Sequence, residues 1–214
     1  MPLDAKLRRR LEKALGAVDD RDTRGPRLVD DAQRLCQRIH KFIAMHLIAD
    51  PDVEALELAC YALQLPMRQP RPPTSAKLGR TNLKDRTEQA AELLVTLLDK
   101  DVDEGLLDRA ARLLHETPHR SPVVEDARLL ADAVNLEDFG VIGMVQQIIQ
   151  LARQGDGVRQ IADGAEKREQ YGYWDARLKD GFHFEPIRQI ARGRVEHARQ
   201  VAALLAQELQ DDQP

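Results

Sequence analysis

The chain has 214 residues, of which 43% are hydrophobic and 32% are charged, the composition of a soluble protein long enough to bury a core. Its formal net charge of −4 gives the whole molecule no attraction to nucleic acid or anionic lipid, and no apolar run approaches the length of a membrane span. We therefore expect a cytoplasmic protein with no membrane partner, and we do not expect nucleic acid as its ligand. The composition leaves the oligomeric state open.

Apolar residues recur at helical spacing along most of the chain, as Leu7, Leu11 and Leu15 do near its start. Asp50–Pro51 and Ser121–Pro122 each have the pattern of a capped helix start, with a polar residue before a first-turn proline. Strand-like alternation is absent from the sequence. The periodicity predicts helices at about 1–16, 28–49, 51–65, 83–99, 103–116, 121–139, 140–153, 158–170, 173–178 and 186–209.

These elements predict an all-α fold, a single-domain bundle of about eight to ten helices around one core. The predicted divisions are an N-terminal helix and loop at 1–27, the helical domain at 28–209 and a polar tail at 210–214. Within the domain, residues 66–82 contain four prolines and four basic residues without any periodic pattern. A segment with so few apolar anchors is predicted to be a mobile loop.

The segment LADAVNLEDFGVIG, residues 130–143, resembles the L-x-D-A-D-x-L-D-x-x-G-x-x-G segment of the HD-domain superfamily. The members of this superfamily are all-α, metal-dependent phosphohydrolases that often act on nucleotides or other phosphate esters. The resemblance extends over about residues 28–208. It includes RLLHETPHRSPVVEDARLL, HKFIAMHLIADPDVEALELACYALQLP, and the tail motifs YWDARL and ARGR. What it implies is an HD-like helical bundle.

In that family, imidazole and carboxylate groups converge on one or two divalent cations, which activate water and neutralise phosphoryl charge. The resemblance places His40 on the first metal histidine and Asp132 on the last metal aspartate. Leu63 and Gln64 stand where the family has its His-Asp pair, and Val134 replaces a second acidic residue. The resemblance thus implies a vestigial metal site of His40 and Asp132, without a resident cofactor or catalytic residue. The alternative is a retained Mn, Mg, Fe or Zn ion, and Asp132 taken alone could be a surface carboxylate.

His115 and His119 have the i, i+4 spacing that can hold zinc on a helix. Pro118 disfavours helical conformation at Thr117, so we expect the helix to end before His119, and we assign both histidines to the lining of a ligand pocket. A basic run precedes them and could either meet phosphates or form a solvated loop; it comprises Arg68, Arg71, Lys77, Arg80, Lys84 and Arg86. The predicted ligand-binding residues are Lys84, Arg86, His115 and His119.

Two functions of different classes follow from these residues, and the sequence does not decide whether the protein is an enzyme. The first hypothesis is a degenerate, non-catalytic HD-like domain that binds a small phosphate- or nucleotide-type ligand or a protein partner. The alternative is a metal-dependent phosphohydrolase with a rearranged mononuclear site, built from His40, His115, His119 and Asp132. A third interpretation is a helical interaction module whose pocket is filled by side chains.

Overall fold

The computed structural model describes residues 2–16, 24–68, 82–98, 102–153 and 155–211. Within these ranges the chain forms ten α-helices and no strand, which confirms the all-α prediction. The helices are α1 (Ala5–Gly16), α2 (Arg24–Ile43), α3 (Val53–Ala62), α4 (Leu83–Leu98), α5 (Glu104–Glu116), α6 (Glu125–Asn135), α7 (Gly140–Arg153), α8 (Val158–Gln170), α9 (Tyr173–Asp180) and α10 (Glu185–Asp211).

Several helix ends differ from the periodicity prediction, and local contacts explain two of them. Helix α2 ends at Ile43 rather than near residue 49, because His46 takes a positive φ of 53° and its N–H closes a turn onto the carbonyl of Ile43. Helix α6 begins four residues after Ser121, at Glu125. The preceding segment is held in a turn, because other groups engage its backbone: Val123 N–H donates to Glu116 Oε2 at 2.9 Å. Arg128 Nε donates to the Pro122 carbonyl at 2.8 Å.

Only part of the predicted proline-rich loop at 66–82 can be described. Its first residues belong to a short 3₁₀ helix, Leu65–Arg68. Residues 69–81, with Arg71, Lys77 and Arg80, lie outside the described residues. The predicted mobility of this loop therefore stays a prediction, as do the domain boundaries at residues 27 and 209.

Backbone contacts divide the chain into two compact units, residues 1–133 and 134–214. The first unit is built on α3, which packs against α2, α4 and α5. Every residue from Ala55 to Leu65 is buried. The sequence of α3, VEALELACYA, explains this position, since a helix that is apolar on all sides must be enclosed by other elements. Glu57 is its one buried charged residue.

Aromatic rings and one arginine hold α9 against the segment that precedes α7 in the second unit. The Phe139 ring lies 5.3 Å from the Trp174 ring and 5.1 Å from the Phe182 ring, measured between centroids. Arg177 of α9 lies over Phe139 at 5.4 Å and forms an ion pair with Asp138 at 3.2 Å. In the same unit α10 packs against α7, α8 and α9.

Two glycines at the start of α7 are required by the backbone path. Gly140 has a φ of +82°, a conformation that residues with a Cβ adopt at a cost. A Cβ on Gly143 would lie 2.3 Å from the carbonyl oxygen of Asp138, a distance that no side chain tolerates. The G-x-x-G element of the quoted segment therefore has a steric explanation within the fold.

Candidate functional site

The carboxyl end of α3 is where the resemblance places the His-Asp pair, and the residues there are buried. Leu63 is fully buried and Gln64 is 3% exposed. The Leu63 N–H continues the helix by donating to the Ala59 carbonyl at 3.0 Å. The amide nitrogen of Gln64 is buried and has no hydrogen-bond partner among the described residues. This end of α3 thus presents an apolar side chain and one buried amide donor without an acceptor.

Arg86 connects the start of α4 to this end of α3. Its Nε donates to the Leu63 carbonyl oxygen at 2.9 Å, and the side chain is half-buried. Lys84, two residues earlier, is 65% exposed, with its Nζ 3.8 Å from Glu88 Oε1. Of the two basic residues predicted to bind a ligand, Arg86 lies at the α3 end and Lys84 extends into solvent.

Asp132 of α6 is fully buried, which rules out the interpretation as a surface carboxylate. The carbonyl of the next residue, Ala133, accepts a hydrogen bond from Arg38 Nη1 of α2 at 2.5 Å. Arg38 is itself 7% exposed, so a buried guanidinium lies near the carboxyl end of α6, where the helix dipole favours positive charge. A buried carboxyl group and a buried guanidinium therefore accompany α6.

His40 of α2 is bonded to a carboxylate that the sequence prediction did not include. Its Nε2 lies 2.5 Å from Glu57 Oε1; the His40 side chain is 46% exposed and that of Glu57 is 2% exposed. The other oxygen, Glu57 Oε2, accepts from Leu3 N–H at 2.7 Å and from Arg8 Nη2 at 3.1 Å. Burial alone would lower the pKa of the Arg8 guanidinium, but the charge and hydrogen bond of Glu57 outweigh it and raise that pKa.

A second carboxylate contact lies one turn along α3. The Tyr61 hydroxyl donates to Glu12 Oε1 at 2.9 Å. Burial of the ring, together with this hydrogen bond, raises the pKa of Tyr61 above its ordinary value, so the hydroxyl stays protonated. The sequence did contain a sign of the Glu57 site: a carboxylate inside an apolar run needs a partner, an argument that applies to Glu57 as well as to Asp132.

The two histidines at the end of α5 are both exposed. Helix α5 ends at Glu116, before His119, as predicted. The expectation for Thr117 was wrong, because Thr117 keeps helical angles of φ −53° and ψ −39°. Its N–H and its hydroxyl both donate to the Leu113 carbonyl, at 3.0 and 2.6 Å, which holds Thr117 in place despite Pro118. His119 Nδ1 lies 3.8 Å from Glu116 Oε2.

The donor set does not fit the divalent cation that the resemblance implies. Among the residues that the structure describes, no three His, Cys, Asp or Glu side chains are grouped so that they could hold a metal ion. His40, His115, His119 and Asp132 are all within those residues. The hydrogen bond of His40 goes to Glu57, and Leu63 offers no lone pair. The assignment of these residues as ligand-binding or vestigial metal positions stays a prediction.

No family model and no curated protein matches the sequence. In the described part of the chain, no helix combines the length and the apolar character needed to cross a membrane. Among solved structures, the chain is similar to the crystal structure of Bacillus subtilis YpgQ in complex with ADP. The TM-score is 0.59 and the identity is 18%, over 98% of this chain and 94% of YpgQ. YpgQ is an HD-domain protein, so this likeness shows that the chain has an HD-domain-like fold.

Proposed function

We propose that the chain is a degenerate, non-catalytic HD-like domain that binds a nucleotide-type phosphate ligand. The observation that carries the proposal is the end of α3, where the buried residues are Leu63 and Gln64. The resemblance places the metal-binding His-Asp pair at these two positions. The function then depends on recognition of a ligand and not on its hydrolysis.

The non-catalytic part of the proposal rests on coordination chemistry. Metal-dependent hydrolysis of a phosphate ester needs a bound cation that activates water and neutralises charge on the phosphoryl oxygens. A cation is held by lone pairs of nitrogen, oxygen or sulfur, and the side chains of Leu63 and Val134 have none. Both side chains are buried, with 0% and 7% exposure. Leu63 and Val134 therefore place apolar side chains where the resemblance expects a metal-binding histidine and an acidic residue.

The binding part of the proposal rests on the groups that remain at the α3 end and on the fold. Arg86 brings a permanent positive charge to the turn at Leu63. The buried amide nitrogen of Gln64 lacks an acceptor, and a buried donor left unsatisfied costs about 1–3 kcal/mol. A phosphate-bearing ligand supplies acceptor oxygens for both. YpgQ, which has a similar fold, was crystallised in complex with ADP, so ADP is the first ligand to test. Further predicted contacts to the ligand are Lys84, His115 and His119.

Isothermal titration calorimetry with ADP, in buffer with EDTA, tests the binding. We expect saturable binding that Arg86→Gln weakens about tenfold, the effect of losing one charge-assisted hydrogen bond. Arg159→Gln is the matched control, since Arg159 is an exposed arginine at the start of α8. Absence of saturable ADP binding, or equal affinity in the Arg86→Gln variant, would contradict the proposal.

A phosphate-release assay with ADP and with a generic phosphatase substrate, in Mn²⁺ and in Mg²⁺, separates binding from catalysis. We expect no turnover above the rate in buffer. Metal-stimulated turnover that Asp132→Asn abolishes would instead establish the phosphohydrolase alternative. Asn is chosen because it is close in size to the fully buried Asp132.

A further inference from the structure

A surface cavity of about 330 Å³, open to solvent, lies between α9 and α10 in the second unit. This volume is at the lower end of the range for small-molecule sites. The lining residues are Asp175, Leu178, Lys179, Arg188 and Arg192. Three of the five are cations and one is a carboxylate, so the lining carries a net positive charge even when the Glu185 carboxylate, which pairs with both arginines, is included.

The charged groups of the cavity come in two pairs with i, i+4 spacing, which places the members of each pair on one face of their helix. Asp175 and Lys179 form the pair on α9, and Arg188 and Arg192 form the pair on α10. The loop between the two helices is short, from Gly181 to Phe184. Local chain connectivity therefore brings the two faces together.

The arginines of the cavity are held in place by other groups. Arg188 Nη2 donates to the Phe182 carbonyl at 2.7 Å, and its Nη1 pairs with Glu185. Arg192 Nη1 lies 3.3 Å from the same Glu185 carboxylate. Each guanidinium has five N–H donors, and anchored donors lose less entropy when a ligand binds.

Lys179 and Asp175, on the opposite side of the cavity, have no ion-pair or hydrogen-bond partner within the described ranges. Lys179 adds an unpaired positive charge. Asp175 repels a fully ionised anion, because an ionised carboxylate only accepts hydrogen bonds. An anion that keeps a proton can donate it to Asp175 while its other oxygens accept from Lys179, Arg188 and Arg192.

We propose that this cavity binds a protonated phosphate group, of which inorganic phosphate is the simplest example. At neutral pH inorganic phosphate carries a proton, whereas sulfate, which is similar in shape and charge, has none. The site should therefore prefer phosphate to sulfate. It belongs to the second unit and is independent of the nucleotide site proposed at the end of α3.

The test is titration of the full chain with inorganic phosphate and with sulfate, at constant ionic strength, followed by backbone amide NMR shifts. We expect saturable shifts around α9 and α10, with phosphate bound more tightly than sulfate. Lys179→Gln and Arg192→Gln should each weaken phosphate binding about tenfold. Asp175→Asn should strengthen sulfate binding and so reduce the preference, since it removes the negative charge.

The control removes a charge elsewhere on the same helix. Arg199→Gln changes an arginine of α10 that pairs with Glu169 and Glu196 outside the cavity, and this variant should bind phosphate as the unaltered protein does. No saturable shifts, equal affinity for the two anions, or unchanged affinity in the Lys179 and Arg192 variants would overturn the proposal. Shifts confined to the residues around Leu63 and Arg86 would also overturn it, since they would place the phosphate at the α3 end alone.

Discussion

Glu57 and His40 join α3 to α2 by a hydrogen bond of 2.5 Å between Glu57 Oε1 and His40 Nε2. The same buried carboxylate accepts from Leu3 N–H and from Arg8, so it connects three segments of the first unit. We predict that Glu57→Gln lowers the free energy of unfolding by about 2–3 kcal/mol, because it leaves these donors without a charged acceptor. Urea unfolding at pH 7 measures the change.

Arg8→Gln is the control for the Glu57 prediction. The Arg8 side chain is 41% exposed, and exposed ion pairs contribute less than about 1 kcal/mol. We therefore expect the Arg8 variant to lose much less stability than the Glu57 variant. Equal losses would mean that the ion pair with Arg8, and not the buried carboxylate, dominates the stabilisation.

Asp126 should make the stability of the protein depend on pH. Burial, with a further contribution from the charge of Asp52, raises the pKa of Asp126 above its ordinary value of 3.8. Because the folded-state pKa is the higher one, the ionised carboxylate reduces stability at neutral pH. That reduction disappears as the pH falls through the raised pKa toward 3.8.

We predict that Asp126→Asn stabilises the protein at pH 7 and that its advantage narrows toward pH 3.8. The side-chain oxygen of Asn can still accept the hydrogen bond that Asp52 N–H now donates to Asp126 at 3.0 Å. Urea unfolding of both proteins across this pH range measures the difference. A difference that does not change with pH would show that ionisation of Asp126 is not its cause.

Restoring the His-Asp pair should destabilise the metal-free protein. Leu63→His combined with Gln64→Asp puts polar groups where the side chains are 0% and 3% exposed. We expect a loss of about 2 kcal/mol or more in EDTA, since buried polar groups without partners are unfavourable. Chemical denaturation, first in buffer with EDTA and then with Mn²⁺ added, measures the change in the free energy of unfolding. Recovery of stability in Mn²⁺ would indicate that His40 and Asp132 still converge on this position.

Gly143→Ala should destabilise the second unit. The new Cβ would lie 2.3 Å from the Asp138 carbonyl oxygen, and forcing extra atoms into a packed site costs about 1–3 kcal/mol. Gly164→Ala is the matched control, because a Cβ at this position in α8 meets nothing within 4 Å. It should be stabilising by about 0.5–1 kcal/mol, the helix-propensity difference. Thermal unfolding of both variants measures the two changes in stability, which should have opposite signs.

The sequence predicted the helices well where local patterns determine them. The helix predicted from Gly140 to Arg153 has the same bounds as α7 in the structure. The sequence of α3 has no polar stripe, which agrees with the burial of this helix. The predicted start of α6 at Ser121–Pro122 was wrong, although these two residues have the local pattern of a capped helix start; the helix begins at Glu125. The contacts that prevent a helix there come from Glu116 and Arg128, and a local pattern carries no information about such contacts.

The candidate site was predicted less completely than the fold, because its contacts join distant residues. Asp132 was singled out as a carboxylate in an apolar run, and it is fully buried. The partner of His40 could not be inferred, since Glu57 lies 17 residues away and Leu3 lies 54 residues from Glu57. Residue spacing identifies neighbours on one helix but not pairs between helices.

The steric need for Gly140 and Gly143 separates the two parts of the segment LADAVNLEDFGVIG. Asp132 stands where the resemblance places a metal ligand, whereas the two glycines concern the path of the main chain around Asp138 and Arg194. Replacing these glycines should therefore cost stability whether or not a protein retains metal chemistry. Matching them in a sequence is therefore evidence of a similar backbone path, and an enzyme should be inferred only where the acidic and histidine positions match as well.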